Sequence, residues 1–125
     1  MTPPGATTVD VDVIAWDLPY PPSVNHYYRM FRGHMVISAE GRAYRSAVQA
    51  VVLSGKRRKP IEDSITMYVR VCPPDRRRRD LDNVIKALWD SLQHAGVYKD
   101  DSQISRYTVE RGNIVKGGAV RVAIA

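Results

Sequence analysis

The chain predicts a mixed α/β domain, with a small mixed β-sheet and two main α-helices. Three observations carry that prediction. Short segments in which apolar and polar residues alternate recur near 9–16, 65–72, 105–111 and 119–124, bounded by Pro, Gly or charged turns. Two longer segments, near 39–53 and 81–92, carry apolar residues at helical spacing. The length of 125 residues suits one hydrophobic core and is too short for two full ones.

Residues 1–8 are small, polar and Pro-containing, which predicts a flexible tail before a single domain over 9–125. Val9 to Trp16 reads as a strand, stopped by Pro19, Pro21 and Pro22. Asn25-His26-Tyr27-Tyr28-Arg29 reads as a loop. Arg32-Gly33-His34 then turns between two short extended pieces, the second running from Met35 to Ile37. Ser38 is a good N-cap for a helix from about Ala39 to Leu53, with Ala43, Ala47, Val48, Val51 and Val52 inward. Gly55 stops it, and Lys56-Arg57-Arg58-Lys59-Pro60 forms a basic loop. Ile65 to Cys72 alternates as a strand, with Ile65, Met67 and Val69 on one face, until Pro73-Pro74 closes it.

The second helix has the clearest pattern. Leu81, Val84, Ile85, Leu88, Trp89 and Leu92 fall on one face, with Asp80 at the N-cap and Gly96 as the stop. Asp82, Lys86, Asp90 and Gln93 share the opposite, polar face. Val97 and Tyr98 give an extended link to Lys99-Asp100-Asp101, and the last two strands turn through Lys116-Gly117-Gly118. Trp16 and Trp89 read as core residues, and Cys72 as a buried strand residue with no catalytic signature. His26 and His94 lack a zinc-ligand pattern and read as structural or surface residues.

Composition narrows the functional classes. Net charge is +6, and 14 of the 19 basic residues are Arg. The planar fork of Arg suits phosphate better than Lys does, so a phosphate-rich partner is favoured over an acidic membrane surface. The basic runs fall in loops rather than along an amphipathic helix. A single cysteine excludes an intrachain disulfide, and no stretch is long and apolar enough to span a bilayer. The expected compartment is the cytoplasm, with no membrane partner.

The densest chemical signal is Arg76-Arg77-Arg78-Arg79-Asp80-Leu81-Asp82-Asn83, followed by Asp100-Asp101. Arginines attract a polyanion, while grouped carboxylates repel it unless a hard cation lies between them. Each piece has a plainer explanation. Asp at a helix start caps free N–H groups. Lys86 can pair with Asp82 one turn before it. A charge run can be a solvated loop. Tyr27, Tyr28 and Phe31 can wedge into unstacked bases, pack in a core or form a dimer contact.

The ordered set of motifs resembles the RusA-type crossover junction endodeoxyribonucleases, a family of phage and prophage Holliday-junction resolvases. The matching residues are Pro21-Pro22-Ser23-Val24-Asn25 with Tyr27-Tyr28-Arg29, and Ser38-Ala39-Glu40-Gly41 with Tyr44-Arg45. Further matches run from Pro74-Asp75-Arg76 through Asp80-Leu81-Asp82-Asn83, Lys86-Ala87 and Ala95-Gly96 to Asp100-Asp101, and then Lys116-Gly117-Gly118. The likeness spans roughly 16–125; the tail and the basic loop at 56–59 depart from it. The resemblance implies metal-binding carboxylates at Asp80, Asp82 and Asp101, an essential lysine at Lys86 and an accessory acidic position at Asp100. DNA contacts are expected from Asn25, Tyr28, Arg29, Arg76, Arg77, Arg78, Arg79 and Lys116. It also implies a homodimer that nicks a four-way DNA junction in recombination and repair, using Mg²⁺ or Mn²⁺. Two alternatives stay open: a basic DNA-binding module without cleavage, and a nuclease selective for flaps or forks.

Overall fold

The computed structural model describes residues 13–56 and 58–125. The predicted tail, the start of the first predicted strand (9–12) and Arg57 of the basic loop lie outside the described residues. In chain order the elements are β1 (Ile14–Leu18), α1 (Val24–Tyr27), β2 (Tyr28–Phe31), β3 (His34–Ile37) and α2 (Ala39–Ser54). They continue with β4 (Ile65–Cys72), α3 (Ile85–His94), β5 (Ile104–Arg111) and β6 (Ala119–Ile124). A 3-10 turn over Leu81–Val84 leads into α3, and a second one, Asp101–Gln103, precedes β5.

The main sheet has the order β1-β6-β4-β5 and is mixed, as predicted. β4 pairs antiparallel with β6 and parallel with β5. Parallel neighbours need a crossover, and α3 supplies it. The helix therefore packs back on the sheet face that carries Ile65, Met67, Val69 and Val71 of β4. Val120, Val122 and Ile124 of β6 complete that face, and Leu88 and Leu92 of α3 close over it. The opposite face carries polar residues, including the ion pairs Arg70–Glu110 and Arg121–Asp17. β2 and β3 form a separate antiparallel hairpin.

Two local expectations fail, each for a physical reason. The segment expected as a loop at 25–29 is one helical turn followed by a strand. Four residues of helix cannot show a 3.6-residue period, so the turn leaves no sequence pattern. In α2, Ser38 does cap, its hydroxyl accepting from Gly41 N–H at 2.9 Å. Val48 is buried and Val51 and Val52 pack against the core, as expected, but the fully buried stripe also takes Gly41 and Tyr44, and Ala43 is exposed. Tyr44 outweighs the smaller alanine in setting which side turns inward, and its hydroxyl donates to the Pro19 carbonyl at 2.8 Å. A Cβ on Gly41 would lie 2.4 Å from the Tyr27 carbonyl oxygen, so only glycine lets α1 and α2 approach this closely.

Tyr27 is fully buried and ties three helices together. Its hydroxyl donates to Asp90 of α3. Arg45 of α2 donates to the same carboxylate oxygen from Nε at 2.9 Å and from Nη2 at 2.6 Å. Burial first, then the bond to Asp90, raises the Tyr27 phenol to about 12. The wedge role considered for Tyr27 is therefore excluded: the ring is inside. Removing Asp90 strands a guanidinium and a phenol in a site where the ion pair is only about a quarter exposed. Asp90→Ala should cost about 2–3 kcal/mol, read as a shift of the urea midpoint, with Asp90→Asn recovering part of it. A shift below about 0.5 kcal/mol would contradict this role.

Candidate nucleic-acid and metal site

Pro73 and Pro74 end β4 and release the arginine run into an exposed loop. Asp75 organises that loop. It accepts from Arg77 N–H at 2.8 Å and takes the Arg79 guanidinium in a fork, at 2.5 and 3.1 Å. Arg79 is thus engaged within the loop, and its carbonyl accepts from Arg111. Arg76, Arg77 and Arg78 are exposed and form no ion pair among the described residues. The predicted four-arginine grip divides into three outward cations and one internal strut.

Arg79 first, with the Arg77 N–H, holds the Asp75 carboxyl down to about 2. A carboxyl depressed in the folded state stabilises above the unfolded value near 3.8, and that contribution is lost as pH falls through about 2. An NMR titration should place the Asp75 midpoint near 2 and move it back toward 3.8 in Arg79→Ala. A midpoint near 3.8 in the wild type would mean the fork does not form in solution.

Asp80 occupies the N-cap position but makes no side-chain capping bond. The plain capping explanation therefore fails for its carboxylate, which is exposed and forms no ion pair among the described residues. Asp82 lies in the following 3-10 turn and Lys86 on the first turn of α3, both exposed. No Asp82–Lys86 ion pair forms among the described residues, which leaves Lys86 free to meet another anion. Beside Asp80 lies a groove of about 300 Å³, lined by Tyr20, Ser23, His26, Arg77, Arg79 and Asn83. His26 and Ser23 contact each other there at 3.1 Å. His26, read from the sequence as a structural or surface residue, is exposed, and nothing in its spacing links it to Asp80.

The Lys116 turn belongs to the same end of the molecule. Val115 N–H donates to the Pro73 carbonyl, and a Cβ on Gly118 would meet the Tyr20 ring at 2.7 Å. Lys116 therefore sits on a turn packed beside Tyr20, which lines the Asp80 groove. Asn25 is exposed on α1, Tyr28 is half-buried at the root of the hairpin, and Arg29 points outward from it.

Asp101 is elsewhere. Its N–H donates to Gln93 Oε1 in the last turns of α3, at 3.0 Å. Gln103 in the same turn donates to the carbonyls of Ile61 and Asp63, ahead of β4. Asp101 therefore sits where β4 and β5 begin, whereas Asp80 and Asp82 sit where β4 has ended. About 12 Å of α-helical rise separates Ile85, just after the Asp82 turn, from Gln93. Among the described residues no three His, Cys, Asp or Glu side chains converge to hold a metal. Asp100 is occupied locally, because its carboxylate accepts from Ser102 N–H and forms a capping box with Gln103. That bond holds its carboxyl below the usual range.

Asp80 and Asp82 do fit a hard divalent cation, since Mg²⁺ is commonly held by one or two carboxylates together with phosphate oxygens and water. Exposed carboxylates beside three outward arginines, at one end of an α/β sheet, are the kinds of group that phosphodiester chemistry uses. Comparison with known proteins makes this specific. Residues 19–125 match the family model described as Endodeoxyribonuclease RusA. Three relatives carry the name Crossover junction endodeoxyribonuclease RusA. Those from Shigella sonnei (strain Ss046) and Enterobacteria phage 82 are 42% identical to this chain, and that from Escherichia coli (strain K12) is 41% identical. Each match covers 107 residues, 86% of this chain and 89% of the relative. The chain belongs to the RusA family. No described helix is long and apolar enough to cross a membrane.

Proposed function

We propose that this protein is a divalent-metal-dependent crossover junction endodeoxyribonuclease. It resolves four-way DNA junctions by paired nicks, as a homodimer in the bacterial cytoplasm, whether encoded by a bacterium or a phage. The observation that carries the reading is the Asp80 carboxylate, placed at a helix start yet released from capping, beside outward arginines and a groove. Family membership supports the substrate class.

In this reading Arg76, Arg77, Arg78 and Lys116 grip the phosphates flanking the scissile bond. Binding should then weaken steeply with salt, with a log–log slope of roughly −0.9 per phosphate contacted. Asp80 and Asp82 hold Mg²⁺, or Mn²⁺ in its place, through carboxylate oxygens. A cation held there would activate water and offset charge at the phosphate. Lys86, one turn on, places its ammonium against the negative charge that builds in the transition state.

Dimerisation gains a chemical reason from the distance between the carboxylates. One chain holds Asp101 at the opposite end of the sheet, so a three-carboxylate site forms only where a second copy presents that end. A two-fold dimer makes two such sites, matching the two nicks that a junction requires. The test uses a labelled synthetic four-way junction and a linear duplex of the same sequence, each in Mg²⁺ and in EDTA. Nicks on the junction alone, and only with metal, are expected. Tight binding without nicks in Mg²⁺ or Mn²⁺ would make the protein a non-catalytic binding module.

A further inference from the structure

The β2–β3 hairpin carries an apolar tip that the described residues leave uncovered. Met30 is 62% exposed, Met35 66% and Phe31 47%. Register places Met30 opposite Met35 and Phe31 opposite His34, so the two-residue turn is Arg32-Gly33. The guanidinium carbons of Arg29 and Arg32 each lie 5.2 Å from the centre of the Phe31 ring, within cation–π range. No Asp or Glu occurs between Val24 and Ala39. An exposed aromatic ring flanked by two cations, on a hairpin that carries no acid of its own, complements a polyanion that carries flat apolar faces.

The turn supplies an independent observation. Arg32 has φ 50°, and among the described residues it is the only non-glycine residue with positive φ. Two-residue hairpin turns with positive φ at both positions favour Asn, Asp or Gly at the first of them. Arginine there opposes local preference, at a position where strain often marks function.

We propose that this hairpin is a base-stacking finger. Phe31 stacks on a base left unpaired at the centre of branched DNA, while Arg29 and Arg32 hold the phosphates beside it. This rests on the junction-binding reading above and adds how a branch is distinguished from a duplex. Base–aromatic stacking is sequence-tolerant, and its loss on alanine substitution weakens binding on the order of 10-fold.

The experiment measures affinity by fluorescence anisotropy in EDTA, for the four-way junction and the matched linear duplex, with light scattering for oligomeric state. Phe31→Ala should bind the junction about 10-fold more weakly, with duplex affinity within about twofold of wild type. Arg32→Asn should melt at the same or a higher temperature, because Asn suits the turn, yet bind the junction about 5-fold more weakly. A merely structural arginine would not separate those two readouts. Equal junction affinity in Phe31→Ala, equal losses on junction and duplex, or dissociation of a dimer would each overturn the finger. If wild type prefers the junction and nicks it while Phe31→Ala binds as wild type does, only this inference falls. If wild type shows no junction preference, both readings fall.

Discussion

Asp82→Asn should reduce junction nicking on the order of 10³-fold while leaving junction affinity within a few-fold of wild type. The substitution keeps the shape of the side chain and removes its charge. It lies in an exposed 3-10 turn, where no packing depends on the carboxylate. Folding should therefore be preserved, with the melting temperature unchanged within about 2 °C. Binding draws on Arg76, Arg77, Arg78 and Lys116, which the substitution does not touch. Electrophoretic mobility in EDTA reads affinity, and a denaturing gel in Mg²⁺ reads nicking. Nicking within about tenfold of wild type would remove Asp82 from the metal site.

The second large effect concerns two inactive variants mixed together. Asp101 lies at the sheet end opposite Asp80 and Asp82, and no three acidic or imidazole side chains converge within the described residues of one chain. If each site takes Asp82 from one copy and Asp101 from the other, a heterodimer of Asp82→Asn with Asp101→Asn contains one intact site. Its other site carries both lesions. Homodimers of either variant contain none. Mixing under conditions that exchange subunits should therefore restore single-site nicking from a background near zero. Were all three carboxylates drawn from one chain, every site in the mixture would carry a lesion and the mixture would stay inactive.

Much of the scaffold was legible in the residues. The alternation of Ile65 to Cys72 and the stripe from Leu81 to Leu92 both report a single strong period; the strand forms where expected, while the helix begins at Ile85 because its expected first turn, Leu81–Val84, is 3-10. Ser38 caps through the geometry its type and position suggest. What escaped depends on partners far along the chain. Tyr27 looks like a loop aromatic until Arg45 and Asp90 close around it from 18 and 63 residues away. Arg79 looks like its three neighbours until Asp75, four residues earlier, folds it back. That i,i+4 pairing of opposite charges was a usable signal. So was the capping pattern from Asp100 to Gln103, which separates Asp100 from Asp101.

The site itself was legible as a set of residues and not as an arrangement. Asp80, Asp82 and Asp101 stand out by type and spacing, yet spacing in sequence does not reveal that β4 and β5 run parallel. The parallel crossover through α3 carries the chain back along the sheet and places Asp101 at the far end. His26 entered the Asp80 groove through a four-residue helical turn too short to leave a periodic trace.

Two coordinated incisions by a two-fold dimer can be followed on a supercoiled plasmid that extrudes a single cruciform. Paired nicks made within one binding event open both strands at the cruciform base and release linear DNA. The expected result with Mg²⁺ is linear plasmid as the first product, and none with EDTA. Nicked circles accumulating before any linear form would contradict paired incision, and unchanged supercoiled plasmid would contradict junction cleavage altogether.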